Sequence, residues 1–253
     1  MSLPLFDNKL AKLIGTGRYI RWNGLCVPTD HIEAMAARCV KPLIFGDEDE
    51  TGRYSHVGSC CIVRQKNKTF VLSTKHQCKH HSSDAVRVFI PELGENCLPL
   101  NLISFADDVR LNDDRRDIFC FRVAKELTGP YLHHAAEICD ERRNSKDLIY
   151  LVAATPNYED VMKYDPDRID IKTVTCTADL SEVNSAFRSL ELRILKQPEQ
   201  FIYDGFSGGG VFRIHGDVGD LAMDFDGVVV RGGNNRFHYI DISFISRLIQ
   251  NCC

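Results

Sequence analysis

A serine lies within a cluster of glycines in Asp204-Gly205-Phe206-Ser207-Gly208-Gly209-Gly210-Val211-Phe212, where the chain passes into an apolar run that suits a β-strand. Glycine permits backbone conformations with positive φ and lets another part of the chain approach closely. Both properties suit a turn whose backbone N–H groups surround an exposed serine hydroxyl, as stabilisation of an oxyanion requires. A flexible glycine turn with an incidental serine would show the same letters.

Two further segments hold the partners that a nucleophilic serine needs. An apolar strand over residues 70–74 is followed almost at once by His76, and Asp117 heads a second apolar strand. A serine hydroxyl is a weak nucleophile that needs a neighbouring base, and the base needs an orienting carboxylate. Taken singly, His76 reads as a surface histidine and Asp117 as a loop aspartate. Together, His76, Asp117 and Ser207 form a candidate catalytic triad.

The composition excludes several classes of protein. The chain has 253 residues, of which 44% are hydrophobic and 26% charged, and its formal net charge is −4. These values are typical of a folded domain with a buried core, and no basic excess indicates a nucleic-acid partner. No apolar run approaches the roughly 20 residues that span a bilayer, so we expect no membrane association.

The 11 cysteines indicate the compartment. Their number is odd, their spacing is irregular, and the N-terminal residues lack the apolar stretch of a secretory signal. Reduced thiols in a cytoplasm are therefore expected rather than a disulfide framework. Cys60, Cys61 and Cys120 fall inside apolar strands and are interpreted as small core residues.

The chain reads as two strand-rich blocks with helices at its ends. Residues 7–14 and a segment with apolar residues at 32, 35, 36 and 39 have helical spacing, and so does the C-terminal stretch 242–249. Residues 124–146 look like a connection between the blocks. The predicted strands are 59–64, 69–73, 85–90, 98–104 and 118–123 in the first block, then 148–153, 169–175, 189–195, 209–214, 227–231 and 237–242.

The candidate triad segments resemble motifs of the trypsin-like serine peptidases with the chymotrypsin fold. Residues 58–63 resemble the family's opening Gly-Ser strand, and 71–76 its Val-Leu-Thr-Ala-Ala-His motif. Residues 117–121 are similar to its Asp-Ile-Ala-Leu-Leu strand. Residues 205–212 resemble Gly-Asp-Ser-Gly-Gly-Pro-Val-Phe, and 227–232 resemble the strand beside the substrate cleft. The resemblance covers roughly residues 54–250.

This resemblance implies a mainly β fold of two six-stranded antiparallel barrels with a C-terminal helix. Residues 1–53 would be a partly helical extension, 54–130 the first barrel, and 131–253 the connection, the second barrel and the helix. Ser207 would be the nucleophile, His76 the general base and Asp117 its orienting carboxylate. The N–H groups of Gly205 and Ser207 would form the oxyanion hole.

Three departures narrow the resemblance to the intracellular and prokaryotic branches of the family. Phe206 stands where secreted members have an aspartate that pairs with a newly cut N-terminus. Gln77 stands where those members often have a disulfide cysteine, and Gly210 replaces a proline. Activation by cleavage of the N-terminus is therefore not expected.

The family's primary pocket would be lined by two short segments on either side of the cleft. The aromatic residues imply a partly aromatic pocket. Arg231 is expected to face solvent, and it would favour an acidic substrate side chain only if it turned inward. The predicted pocket residues are Phe201, Ile202, Tyr203, Val230, Arg231 and Gly232.

A zinc site is the main alternative for the histidine segment. His76, Cys78, His80 and His81 are dense in potential ligands, yet no second ligand pair stands at the spacing that structural zinc sites use. We therefore predict neither a metal nor another cofactor.

The leading hypothesis from sequence is an intracellular serine endopeptidase acting on protein or peptide substrates through an acyl-enzyme. Phe206 and the N-terminal segment motivate a second hypothesis: an inactive or partner-activated binding or regulatory module with a peptidase fold, serving in a defence or stress response. The partner-activated form of this hypothesis would require an activating partner protein.

Overall fold

The computed structural model describes residues 19–46, 54–78, 86–89, 97–98, 100–105, 113–124, 126–139, 147–157, 162–165, 168–184, 189–196, 201–217 and 219–250. The chain is mainly β with a C-terminal helix, as predicted. The strands of the first half are β1 Tyr19–Trp22, β2 Leu25–Pro28, β3 Val40–Gly46, β4 Tyr54–Gln65, β5 Lys68–Thr74, β6 Val86–Phe89, β7 Cys97–Leu98, β8 Leu100–Phe105, β9 Ile118–Val123 and β10 Ala136–Glu137.

The second half continues with strands and closes on a helix. Its strands are β11 Asp147–Ala154, β12 Met162–Asp165, β13 Arg168–Ile171, β14 Val174–Asn184, β15 Ser189–Lys196, β16 Gly210–His215, β17 Leu221–Gly233 and β18 Arg236–Asp241. The α-helices are α1 Ile32–Cys39 and α2 Ile242–Gln250. Short 3-10 helices occupy Thr29–His31, Lys75–Cys78, Asp114–Asp117 and Gly129–His134.

Six antiparallel strands of the second half form a closed barrel in the order β16-β11-β14-β15-β18-β17, because β17 pairs back with β16. This C-terminal barrel confirms one of the two predicted barrels. Closure leaves no free edge within the ring, which protects the strands from pairing with other chains. A hairpin of β1 and β2 extends the sheet, with β1 parallel to β17.

The strands of the first half form a second sheet in the order β7-β6-β3-β4-β5-β9-β8, with β10 beside β4. Among the described residues this N-terminal sheet does not close, so the second barrel stays a prediction. The predicted division at residues 53/54 and 130/131 also stays a prediction. One strand of the segment 1–53, β3, pairs with both β4 and β6.

The helices form where the apolar spacing predicts them. The buried residues of α1 are those expected at helical spacing, Ile32, Met35, Ala36 and Cys39. The C-terminal helix α2 is confirmed, and the carboxylate of Asp241 accepts the backbone N–H groups of Ser243 (2.8 Å) and Phe244 (3.2 Å) at its start. The predicted helix over residues 7–14 lies outside the described residues.

One continuous core of buried side chains contains residues of both sheets, such as Leu72 of β5 and Phe212 of β16. Trp22 is buried and packs edge-on against Phe212 of β16, with ring centroids 5.6 Å apart. Ile20 is also buried, whereas Leu25 is 45% exposed. The β1–β2 hairpin therefore covers the C-terminal barrel through alternate residues of β1.

No helix in the described part of the chain has the length and apolarity needed to cross a membrane.

Candidate active site

His76 and Asp117 meet because their strands are neighbours. Strand β5 pairs with β9 so that Thr74 lies opposite Ile118, which brings the residues after β5 close to those before β9. His76 Nδ1 lies 2.5 Å from Asp117 Oδ2, and the backbone N–H of His76 donates to Asp117 Oδ1 at 3.0 Å. One carboxylate therefore fixes both the ring and the backbone of the histidine. With Nδ1–H donated to Asp117, a neutral His76 ring keeps its lone pair on Nε2.

Ser207 lies in a turn that requires glycine at the positions on either side of Phe206 and Ser207. Gly205 and Gly208 have φ of +85° and +81°, in the left-handed region that favours glycine. A Cβ at Gly208 would collide with the carbonyl oxygen of Ser59, and one at Gly209 would lie 2.6 Å from the carbonyl oxygen of Ala153. The glycines therefore permit the turn to pack closely against both sheets. A flexible glycine turn with an incidental serine would not need such close packing.

Two peptide planes set the direction of the expected oxyanion donors. The carbonyl of Asp204 accepts from Asn157 N at 3.0 Å, and that of Phe206 accepts from Gly209 N at 2.9 Å. In a trans peptide the C=O and N–H point in opposite directions. The N–H groups of Gly205 and Ser207 therefore point away from these contacts. Within the described part of the chain, neither N–H donates a hydrogen bond.

Residues of the N-terminal half hydrogen-bond to the carbonyls of Gly205 and Ser207, which belong to the peptides that follow those two planes. Ser59 Oγ donates to the carbonyl of Gly205 at 2.5 Å, and Ser59 N donates to the carbonyl of Ser207 at 3.2 Å. The side-chain amide of Gln77 donates to the same Ser207 carbonyl, while its oxygen accepts from Ser73 Oγ at 2.7 Å. The turn is thus clamped by residues of β4, β5 and the histidine segment.

Phe206 anchors the turn from the opposite side. Its side chain is fully buried, stacks on Phe237 with centroids 5.0 Å apart, and contacts the Phe201 ring at 4.9 Å. Full burial of a phenylalanine contributes about 1.5–3 kcal/mol relative to exposure. Apolar packing thus holds Phe206 in place beneath the turn.

The Ser207 hydroxyl is not directed at the histidine. Ser207 Oγ donates to the carbonyl of Val230 at 3.2 Å. Among the described residues, the ring of His76 has its hydrogen bond with Asp117 and none with Ser207. The structure therefore joins two members of the predicted triad by a hydrogen bond and places the third on the same cavity.

That cavity lies between the two sheets and has a volume of 670 Å³. Both sheets contribute charged and polar groups to its wall. Its lining consists of His56, Val57, His76, Gln77, Asp114, Asp117, Asn157, Tyr203, Asp204, Gly205, Ser207, Val230, Arg231 and Gly232.

Two of the predicted pocket residues lie elsewhere. Among the described side chains, Phe201 packs beneath the turn against Phe206 and Phe237, and Ile202 is 44% exposed outside the lining. Arg231 does line the cavity. Its guanidinium lies 3.3 Å from Asp114 Oδ2 and is 41% exposed, so it is half-buried and paired across the cleft rather than turned fully to solvent.

Sequence reasoning missed the polar groups that support the turn. His56 is buried and its Nε2 lies 2.8 Å from the carbonyl of Gly58, so Nε2 carries the proton. Burial lowers the pKa of His56. Thr155 N donates to Ser59 Oγ at 2.7 Å, which completes the support beneath Gly205. The contact between Ser59 and Thr155 joins residues 96 positions apart, and no local pattern indicates it.

In the described part of the chain, no group of three or more His, Cys, Asp or Glu side chains could hold a metal ion. The side chain of Cys78 and the residues His80 and His81 lie outside what the structure describes. The prediction against zinc at this segment therefore stays a prediction.

No protein-family model matches the chain, and no curated protein matches it in sequence. Among solved structures the chain is similar to a thermostable serine protease, AL20, from an extremophilic microorganism. The two share 12% sequence identity at a TM-score of 0.48, and the match covers 86% of this chain and 98% of the other.

Proposed function

We propose that this protein is a trypsin-like serine endopeptidase that hydrolyses peptide bonds through an acyl-enzyme on Ser207. The observation that carries the proposal is the His76–Asp117 pair, which opens onto the same cavity as Ser207. The two N–H groups of Gly205 and Ser207, which donate no hydrogen bond among the described residues, supply the electrostatic part of the site.

Each residue has a defined task in the reaction. Asp117 accepts the Nδ1–H of His76, so Nε2 takes the proton of the Ser207 hydroxyl. The Ser207 oxygen forms a bond to the substrate carbonyl carbon, and the carbonyl oxygen becomes negative beside the Gly205 and Ser207 N–H groups. The C–N bond then breaks as His76 gives its proton to the leaving amine.

Water completes the cycle by the same route. His76 takes one proton from water while the hydroxide oxygen bonds to the acyl carbon. The ester bond breaks, the proton returns to the Ser207 oxygen, and the carboxylic acid product leaves.

A second candidate function is supported by the orientation of Ser207. Its hydroxyl donates to Val230 rather than to His76, as expected for an inactive or partner-activated module. Under the first proposal, rotation about the Ser207 Cα–Cβ bond brings the hydroxyl to His76 when substrate enters. Under the second, only a bound partner protein brings about this change.

The proposal includes a reducing, cytoplasmic compartment. Gln77 fills its site by hydrogen bonding and needs no disulfide there. Among the cysteine side chains that the structure describes, no two are joined by a disulfide; these are Cys26, Cys39, Cys60, Cys61, Cys120, Cys139 and Cys176.

Profiling of cleavage sites tests the peptidase proposal. A library of peptides derived from a whole proteome is incubated with wild-type protein and with Ser207→Ala, and the new N-termini are identified by mass spectrometry. We expect cuts with wild type and none with Ser207→Ala. Cuts that appear only after a cell extract is added would favour the partner-activated module, and the absence of cuts in both conditions would favour an inactive one.

A further inference from the structure

The side chain of the substrate residue whose carbonyl is attacked would contact one particular wall of the cavity. With the carbonyl carbon at Ser207 Oγ and its oxygen at the N–H groups of Gly205 and Ser207, the flanking cavity wall is formed by residues 203–205 and 230–232. Ser207 Oγ already lies 3.2 Å from the carbonyl of Val230 in this wall. A recess for a large side chain would have to open between these two segments.

The Tyr203 ring fills that recess. A Cβ placed on Gly232 would lie 2.6 Å from Tyr203 Cδ1, so the ring lies directly against the backbone of the opposite segment. The same Cβ would lie 3.1 Å from the Phe237 ring, which packs edge-on against Tyr203 with centroids 5.8 Å apart. The space between the two segments is thus occupied by the protein's own aromatic groups.

Tyr203 is fixed at both of its ends. Its hydroxyl accepts a hydrogen bond from Asn235 N at 2.6 Å, and its backbone carbonyl accepts one from Phe206 N at 3.1 Å. The ring also contacts Phe201 edge-on at 5.0 Å. Swinging the ring out would break the bond to Asn235 and the aromatic contacts together, so substrate entry alone does not displace it.

We propose that Tyr203 is a specificity-determining residue that closes this recess and restricts cleavage to bonds whose carbonyl belongs to glycine, alanine or serine. The inference rests on the proposed peptidase function. A side chain as large as phenylalanine would overlap the Tyr203 ring, and overpacking of a filled apolar site is unfavourable.

Acylation by small esters tests the inference without knowledge of the natural substrate. The probes are the N-acetyl p-nitrophenyl esters of glycine, alanine, leucine and phenylalanine, and kcat/KM is measured from p-nitrophenolate release. We expect wild type to favour the alanine ester over the phenylalanine ester by at least about 10²-fold, the range over which a closed apolar pocket discriminates. Tyr203→Ala should raise the phenylalanine-to-alanine ratio at least about tenfold.

Two further variants serve as a control and as an alternative to Tyr203→Ala. Tyr203→Phe retains the ring, so its ratio should stay close to that of wild type. Tyr203→Leu keeps an apolar group against Phe237 and serves if the alanine variant does not fold. The inference is overturned if wild type prefers leucine or phenylalanine esters, or if every folded variant among Tyr203→Ala and Tyr203→Leu leaves the ratio unchanged. If no ester acylates Ser207 in wild type, the proposed function itself fails and the inference with it.

Discussion

The side-chain amide of Gln77 donates a hydrogen bond to the backbone carbonyl of Ser207, linking the residue after the candidate base to the candidate nucleophile. Ser73 Oγ donates to the other end of the same amide at 2.7 Å. Gly58 makes room for it, because a Cβ there would overlap the Gln77 amide nitrogen. Gln77 therefore sets the distance between the histidine segment and the serine turn.

Gln77→Glu should reduce acylation by about 10²-fold, as small displacements of a reacting group do. The new carboxylate would place a negative oxygen against the Ser207 carbonyl and push the turn away. The measurement is ester kcat/KM, with urea unfolding as a check of folding. Gln65→Glu is the matched control, since buried Gln65 donates to Ser246 Oγ at 2.6 Å, outside the cavity lining. Equal losses of activity in the two variants would contradict this role.

Asp117→Asn should lower kcat by about 10⁴-fold, because the amide no longer holds the His76 tautomer that keeps Nε2 ready for a proton. The matched control is Asp241→Asn, which alters the cap of α2 and is expected to cost about 1 kcal/mol of stability at most. Steady-state ester hydrolysis is measured for both variants, and only Asp117→Asn should lose activity. A change of less than tenfold in Asp117→Asn would show that the carboxylate does not orient a catalytic base.

Phe206→Ala should lower the free energy of unfolding by about 3–5 kcal/mol, because it removes a fully buried ring from the stack on Phe237. It should also lower ester kcat in the folded fraction, since the turn loses its apolar anchor. Phe225→Ala serves as the control, because Phe225 is similarly buried and packs against Phe212 at 5.7 Å. Loss of kcat in both variants, or in neither, would contradict an anchoring role for Phe206.

The free energy of unfolding should decrease as the pH falls, because His56 is buried. Burial lowers the pKa of His56 in the folded state, so the unfolded chain binds the proton more readily. The contribution of His56 to stability is complete above about pH 6.5, the ordinary pKa of histidine. It is lost as the pH falls below that value and through the lowered pKa of the folded state. Urea unfolding between about pH 5 and pH 7.5 should therefore show a steeper decline for wild type than for His56→Gln. Parallel curves would contradict the prediction.

The local patterns of the sequence predicted the secondary structure around the site well. Strand β9 has the predicted bounds, Ile118–Val123, because its largely apolar run begins directly after Asp117 and ends just before the polar segment that starts at Lys125. The apolar spacing likewise predicted the buried residues of α1 and the existence of α2, in which Ser246 is buried as well as the isoleucines. The hairpin of β1 and β2 was missed, since four-residue strands carry too little pattern to be distinguished from a loop.

Contacts between distant segments could not be predicted in the same way. The support of the turn by Ser59 and Thr155 joins positions 96 residues apart in sequence. The Arg231–Asp114 pair across the cleft likewise depends on how the two sheets meet. The predicted lining by Phe201 failed for a related reason, because an aromatic residue beside a cleft can pack into the core instead of facing the cavity.

Labelling by a fluorophosphonate tests the central claim, that Ser207 is a nucleophile activated by His76 and Asp117. We expect the folded wild-type protein to gain one covalent adduct at neutral pH, mapped to Ser207 by peptide mass spectrometry. Ser207→Ala and His76→Ala should remain unlabelled, and Ser243→Ala, which removes an exposed serine of α2, should label like wild type. A folded wild-type protein without the adduct, or an adduct that persists in Ser207→Ala, would contradict the account.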